Sequence, residues 1–460
     1  KGYLDMKKTK LALAIAASAM ISTPVLATNG TNMTGVGPQA TAMGGTGVAA
    51  FYGAENVIIN PGLIGKAQGT EFSFGGTYFS PSVKTENNIQ NSAAIAAGMP
   101  PAMQPPIASD TSAADTNLIP SVSVSSRIND QLTFGIGMYG TSGMGVDYQD
   151  TAGIFNAQSN MQIMKFSPTI AFNGGNFGVG VSPVIQYGSL DINYQVQMTN
   201  NAGSPMFTQA DGTINTTFTG TESPAMKTVG SGIQSDLGMG FSLGGYFNVN
   251  NSLTVAAAYQ SSINMKYKNS LSVASSAFVN PASDFTEAFG DELEQPAELK
   301  LGVAYNMGNM TYTADFKQVA WSSAKGYKDF GWEDQNVMAI GAKYQGNGYW
   351  FGAGYNQGNN PIKEQDGNTY KGAVVNMFNN LFFPATTETH ISIGGGYNIT
   401  KNVAIDAALM MAPEVNTEVN TNGVSSAFAS GMAGAPTPAA STSTTKHSQT
   451  AMSMSVRYNF

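Results

Sequence analysis

The chain has 460 residues, no cysteine and 24 methionines, and only 11% of it is Asp, Glu, Lys or Arg, under half of the roughly 25% usual in soluble domains. A formal net charge of −8 argues against the basic footprint of a nucleic-acid binder. The missing thiols exclude a disulfide framework, a thiol nucleophile and a thiolate metal site.

In chain order, Met6, Lys7, Lys8 and Lys10 precede an apolar run over 11–21, and Val25 and Ala27 then supply the small or β-branched positions of a signal-peptidase site. This reads as an export signal ending at Ala27, with 1–5 as an upstream extension. Without 1–27 the chain keeps 433 residues, 17 basic and 28 acidic, because Lys1, Lys7, Lys8, Lys10 and Asp5 leave with the signal; the balance is −11. Residues 28–69 follow as a candidate plug. Their core, 31–64, is rich in Gly, Ala and Asn and holds neither a 3.6 nor a 2 period. Gly44 and Gly45 allow close backbone approach, and Asn60-Pro61-Gly62 reads as a turn. Such a segment makes no core of its own: inside something hollow it is a plug, elsewhere a flexible linker.

From 70 to the end, fourteen segments alternate apolar and polar residues: 70–80, 118–128, 131–140, 161–172, 176–194, 233–247, 252–268, 297–306, 309–319, 334–345, 348–356, 388–397, 401–411 and 448–460. Tight turns rich in Asn and Gly, such as Asn129-Asp130, Asn173-Gly174-Gly175 and Gly346-Asn347, alternate with long polar connections. No apolar run after the signal reaches the roughly 18 residues of a membrane helix. Short turns on one side and long loops on the other fit a 14-stranded antiparallel transmembrane β-barrel, an all-β fold, with 28–69 as its plug.

Charge placement supports that reading. Leu299, Leu301, Val303 and Tyr305 share one parity, opposite Glu298 and Lys300; Tyr312, Ala314 and Phe316 oppose Asp315 and Lys317; Lys343, Asp236, His390, Asp406 and Arg457 also fall opposite their strands' more apolar side. A charge facing lipid at mid-depth costs about 2–4 kcal/mol, so these are expected in the lumen. In 252–268 the same pattern places Lys266 and Lys268 in the lumen and Ile263, Met265 and Tyr267 on lipid. Asp191 breaks parity and is expected above the membrane or after a bulge. The terminal strand ending at Phe460 is expected to close on the first, because a lipid-exposed edge leaves backbone groups unpaired.

With these features together, the chain resembles the FadL-type outer-membrane transporters of long-chain fatty acids and hydrocarbons. Gly44-Gly45 and Asn60-Pro61-Gly62 look like that family's N-terminal hatch, where an Asn-Pro-Ala turn is usual; Phe72-Ser73-Phe74-Gly75 opens the first strand, and Gln295-Pro296-Ala297-Glu298-Leu299 and Trp321-Ser322 follow in order. The chain departs from the pattern at Gly62, at Thr28-Asn29-Gly30, which brings no aromatic residue to a ligand, and over Tyr139 to Tyr148. The resemblance implies a closed barrel blocked by a hatch. An apolar ligand is caught among external loops, moves to an interior site, and leaves sideways near the third strand without ATP. It also implies an outer-membrane location among lipid and lipopolysaccharide, both termini on the periplasmic side, insertion by the barrel assembly machinery through the strand ending at Phe460, and a monomer.

Candidate ligand contacts are apolar loop residues and lumen cations. The loops over 195–232 and 269–296 offer Met206, Phe207, Phe285 and Phe289, with Met198, Phe218, Met226, Leu271, Val273 and Phe278, all of which loop packing also explains. For a carboxylate head group the candidates are Lys300 and Lys317, on adjoining strands, and Lys266 and Lys268, with Arg127, Lys165, Lys343 and Arg457 as further cations. Neutralisation by Glu298 and Asp315 is the alternative, and it suits uncharged hydrocarbons. No enzyme reading stands up: His390 near Ser392 falls short of a nucleophile site, Asp291, Glu292 and Glu294 have no calcium-loop spacing, and no cofactor motif is present. A general diffusion porin, which lacks a plug, and a surface adhesin or receptor using the long loops are the competing functions.

Overall fold

A computed structural model describes residues 29–197, 207–209, 213–215 and 223–460; the signal sequence lies outside them. Fourteen strands form the barrel: β1 (Thr70–Asn87), β2 (Asn117–Arg127), β3 (Leu132–Asp147), β4 (Gln158–Asn173), β5 (Phe177–Gln197), β6 (Gln234–Asn248), β7 (Leu253–Gln260), β8 (Glu298–Met307), β9 (Met310–Val319), β10 (Gln335–Gln345), β11 (Tyr349–Gly358), β12 (Thr389–Asn398), β13 (Val403–Asn420) and β14 (Thr442–Asn459). Each pairs antiparallel with the next. β14 closes on β1 in unbroken register from Glu71↔Asn459 to Asn87↔Ser443, so the sheet has no edge there.

Side-chain alternation sorts the two faces as expected. Leu299, Leu301, Val303 and Tyr305 of β8 are exposed on the outer wall, and Ile340, Phe351, Ile393 and Met454 continue that apolar band on other strands. Glu298, Asp315, His390 and Asp406 are buried on the inner side. The tight turns are fixed by short polar side chains: Asn129 Oδ1 accepts from the amides of Gln131 and Leu132 at 2.9 Å, and Asn250 Oδ1 does the same for Ser252 and Leu253. Asp191 keeps β5's outer parity beyond the exposed apolar residues that end at Tyr187, with no register shift near it.

The strands depart from the sequence reading in two places. β1, β3, β13 and β14 run past the apolar alternation, to Asn87, to Asp147, to Asn420 and from Thr442; the ends of β13 and β14 are also held by the cap, where Asn376 Nδ2 donates to Asn420 O at 2.9 Å and Asn380 Nδ2 to Ser443 O at 2.8 Å. β7 stops at Gln260, and the following residues fold against the inner side of β5 and β6, where a Cβ on Gly188, Gly238 or Gly240 would collide with Tyr267, Ile263 or Met265. The break at Ser261-Ser262 exchanges the faces, so Ile263, Met265 and Tyr267 are buried and Lys266 and Lys268 are exposed. Parity alone misplaced them.

Helix α3 (Ile89–Ala96) follows β1, and at the long-loop end helices α4 (Ser270–Ser276) and α5 (Tyr370–Phe382) cap the barrel. Tyr194, Phe278, Phe289, Phe330, Phe378 and Phe382 form one continuous apolar core under them. Inside the barrel, residues 29–69 form the hatch, built of short turns and helices including α1 (Pro38–Ala42) and α2 (Asn56–Ile59). Nearly all of this segment is buried.

Candidate ligand site and hatch

The hatch is anchored to the wall mainly by polar contacts and by glycine. Asp315 Oδ2 on β9 accepts from the amides of Gly47 and Val48 at 2.8 and 2.9 Å. Ser392 on β12 donates to Ala42 O and accepts from Gly44 N, both at 3.0 Å, and Asn356 Nδ2 donates to Gly44 O at 3.1 Å. Thr46 and Thr313 share a hydrogen bond of 2.7 Å. Gly44 has φ +72°, and a Cβ there would stand 2.7 Å from Tyr355 O, so backbone meets backbone. Gly45, at φ +84°, lies against Thr34 O in the same manner.

The Asn60-Pro61-Gly62 turn docks on β6. Asn60 Nδ2 donates to Val48 O at 2.7 Å and to Gly245 O at 3.2 Å, while its Oδ1 accepts from Gly62 N at 3.0 Å and caps the short helix begun by Pro61. A Cβ on Gly62 would lie 2.7 Å from Gly244 O. Here the departure from the usual Ala has a steric cause.

Beside the hatch lies a cavity of about 80 Å³. Met33, Val36, Ile58 and Ile59 of the hatch line one side, and Lys165, Lys300 and Lys317 of the wall line the other, with Glu298 and Asp315. Lys300 and Lys317 stand directly opposite each other on β8 and β9. Lys300 Nζ pairs with Glu298 Oε2 at 2.8 Å, and Glu298 Oε1 accepts from Asn32 Nδ2 at 2.8 Å. Lys165 Nζ donates to Gln260 Oε1 at 3.0 Å, and among the described residues Lys317 has no carboxylate within ion-pair distance. Asp315 is committed to the hatch amides. Three lysines therefore stand around Glu298, with Asp315 nearby, in a chamber whose lining also includes Asn32, Thr34, Thr141, Gln260 and Asn356.

The other cations are structural. Arg457 pairs with Asp406 and, at 3.6 Å, with Glu71; Lys343 donates to Gln39 Oε1 at 3.2 Å and faces the rings of Tyr52 and Trp350; Arg127 ties its own hairpin through Asp130. Lys266 and Lys268 do not line the cavity. Phe285 and Phe289 pack against each other at a tilt of 58°, with ring centroids 5.2 Å apart, inside the cap core. Phe207 lies in a two-residue strand against Asn215 and Pro224, and Met206 falls outside the described residues. Ser392, two residues from His390, is hydrogen-bonded to the hatch backbone.

Sequence reasoning missed α5, whose Phe378 and Phe382 are central to the cap. Thr369 caps its start, its hydroxyl accepting from Gly372 N at 3.0 Å, and Val374, Val375, Phe378, Leu381 and Phe382 recur at helical spacing. That period was legible.

The wall is incomplete at β3. Its ladder to β2 stops at Ser121↔Tyr139, and its register on β4 shifts between Gly140 and Ser142. Residues 139–146 are buried throughout, with no outward face, because the strand bends inward. The hatch leader fills in behind: Met33 N donates to Thr141 O and Gly143 N to Thr31 O, both at 3.0 Å.

A family model described as Outer membrane protein transport protein (OMPP1/FadL/TodX) matches residues 14–460. Outer membrane protein P1 of Haemophilus influenzae is 23% identical over 383 residues, 77% of this chain and 79% of that protein. A solved Pseudomonas aeruginosa FadL homologue superposes with a TM-score of 0.65 at 16% identity, covering 94% of this chain and 100% of that one. The Pseudomonas putida toluene transporter TodX gives 0.62 at 17% identity, covering 94% and 100%. At such identities the structures speak for the shared fold alone.

Proposed function

The chain belongs to the OMPP1/FadL/TodX family of outer-membrane transport proteins, and on that premise we propose that it carries long-chain fatty acids or similar anionic amphiphiles. Transport of hydrophobic compounds through a plugged barrel is the family's passive activity. The observation that supports an anionic head group is the cavity, where three lysines face two carboxyls, one of them holding hatch amides, with Met33, Val36, Ile58 and Ile59 also in the lining. A ligand carboxylate would bind Lys317, which has no ion-pair partner among the described residues, and compete with Glu298 for Lys300. Its tail would lie against Met33, Val36 and Ile59.

A cavity of about 80 Å³ is far below the roughly 300–1,000 Å³ of sites that bury whole ligands. The seated hatch therefore leaves room for a head group or a few waters, and passage requires its movement. Exit runs sideways at the inward bend of β3, where the hatch leader now fills the gap. The short-turn end, with both ends of the barrel sheet, faces the periplasm. A second reading, uncharged hydrocarbons, draws on the Lys300–Glu298 pair. A general porin is disfavoured because the lumen is filled.

Uptake into proteoliposomes separates the two ligand classes. Lys317→Met is expected to lower dodecanoate uptake at limiting concentration by roughly tenfold and to leave toluene uptake unchanged. Equal loss of both, or of neither, would reject the head-group reading.

A further inference from the structure

Glu55, at the start of α2, is a hatch carboxyl 1% exposed to solvent. Its Oε1 accepts from Ser73 Oγ on β1 at 3.2 Å, and its Oε2 has no hydrogen-bond partner among the described residues. Gly37 of the hatch presses on it so closely that a Cβ there would fall 2.0 Å from Oε2. The groups around it come from every neighbouring element. Asp406 on β13 and Glu71 on β1 bring two more carboxyls, Arg457 on β14 brings one guanidinium, Tyr139 of β3 stands near, and Lys343 of β10 lies beyond Asp406.

Arg457 is already spent: it pairs with Asp406 and reaches Glu71, whose Oε1 also accepts from Ala54 N at 2.7 Å. With all three carboxyls ionised, the cluster would hold three negative charges against one nearby positive charge, out of water. A buried carboxylate without its own partner is costly, and the ordinary escape is to keep the proton.

We propose that Glu55 is a proton-binding site of the hatch: the seated hatch holds it as the neutral acid, and a hatch that leaves its seat gives that proton to water. The O–H bond breaks as the carboxylate becomes hydrated, and no other reactant is needed. The proposal rests on the reading of the hatch as the moving part. Burial first, then the charge of Asp406, raises this carboxyl to about 8, with Arg457 opposing and Glu71 adding to the rise. In water it returns to the ordinary carboxylate value of about 4.3.

The sign follows. The seated form binds the extra proton, so its advantage is complete below about 4.3 and is lost as pH rises towards about 8. Unseating increases by at most about tenfold per pH unit between those limits.

The test uses the full chain in planar bilayers, with opening frequency read as ionic conductance from pH 5 to pH 9 at fixed salt. Wild type is expected to open at least tenfold more often at the alkaline end, and Glu55→Gln to remain flat and closed. If Glu55→Gln fails to assemble, Glu71→Gln, which keeps an oxygen for Ala54 N, is expected to move the upper limit to lower pH. A flat wild-type profile, an unchanged profile in Glu55→Gln, or an unshifted limit in Glu71→Gln overturns the proposal. A lock separates it from the moving-hatch reading: the chain has no native cysteine, and Thr46→Cys with Thr313→Cys joins hatch to β9. Openings that persist in the oxidised lock reject the moving hatch. Openings that the lock abolishes while Glu55→Gln leaves the pH profile intact reject the proton site alone.

Discussion

The cap and the hatch both block the barrel, yet they are held by different forces. The cap packs aromatic rings against one another: Phe289 lies 4.5 Å from Phe330 and Phe278 5.4 Å from Phe378, centroid to centroid. The hatch offers the wall mostly small residues and backbone amides, met by Asp315, Ser392, Asn356 and Thr313. Opening the cap would expose apolar surface to water at about 25 cal/mol per Å². Hatch contacts are in large part hydrogen bonds that water or a ligand can replace, each worth about 0.5–1.5 kcal/mol net, beside small apolar patches such as Val57 and Ile64 on Ala171 and Ala42 on Trp350. The cap is therefore the more apolar of the two blocks, and the proposed transport assigns movement to the hatch.

The largest effect that breaks this contrast lies in the cap. Phe378→Ala removes a ring buried among Tyr194, Phe278, Phe289 and Phe382, and a loss of about 3–5 kcal/mol is expected. Thermal unfolding in detergent checks it, and unchanged conductance would show that the cap does not set the hatch. Asp315→Ala comes next. It strands two hatch amides, at roughly 1–3 kcal/mol each, and single-channel recording should show frequent openings with little change in barrel stability. Lys266→Gln with Lys268→Gln is the smallest: both side chains are exposed and outside the cavity, so dodecanoate uptake should be unchanged.

The barrel was legible because a wall between lipid and lumen imposes a period of 2, which the strands carry where they face lipid, with 139–146 of β3 as the exception. Closure was legible in the alternation that runs to Phe460. Charge placement succeeded where the ladder is regular, at Glu298, Lys300, Asp315 and Lys317. It failed at Lys266 and Lys268, because alternation survives in sequence after the chain has left the sheet and turned over at Ser261-Ser262. The cap's use of Phe285 and Phe289 as packing, rather than as an open ligand surface, depends on α5, a hundred residues away in round terms, and no local pattern announces that meeting. The hatch turn at Asn60-Pro61-Gly62 was legible as a turn, but the reason for Gly62 is the backbone of β6. That Lys317 has no carboxylate within ion-pair distance among the described residues emerges only once the strands are paired.

The most direct test of the moving hatch is dodecanoate uptake by the Thr46→Cys, Thr313→Cys double variant in proteoliposomes, before and after reduction. Their parent hydroxyls are 2.7 Å apart across the hatch and β9, so oxidation ties the two together. Uptake that is blocked when oxidised and restored by reductant is the result expected here; equal uptake in both states would mean that the ligand passes without the hatch moving, and would contradict the account.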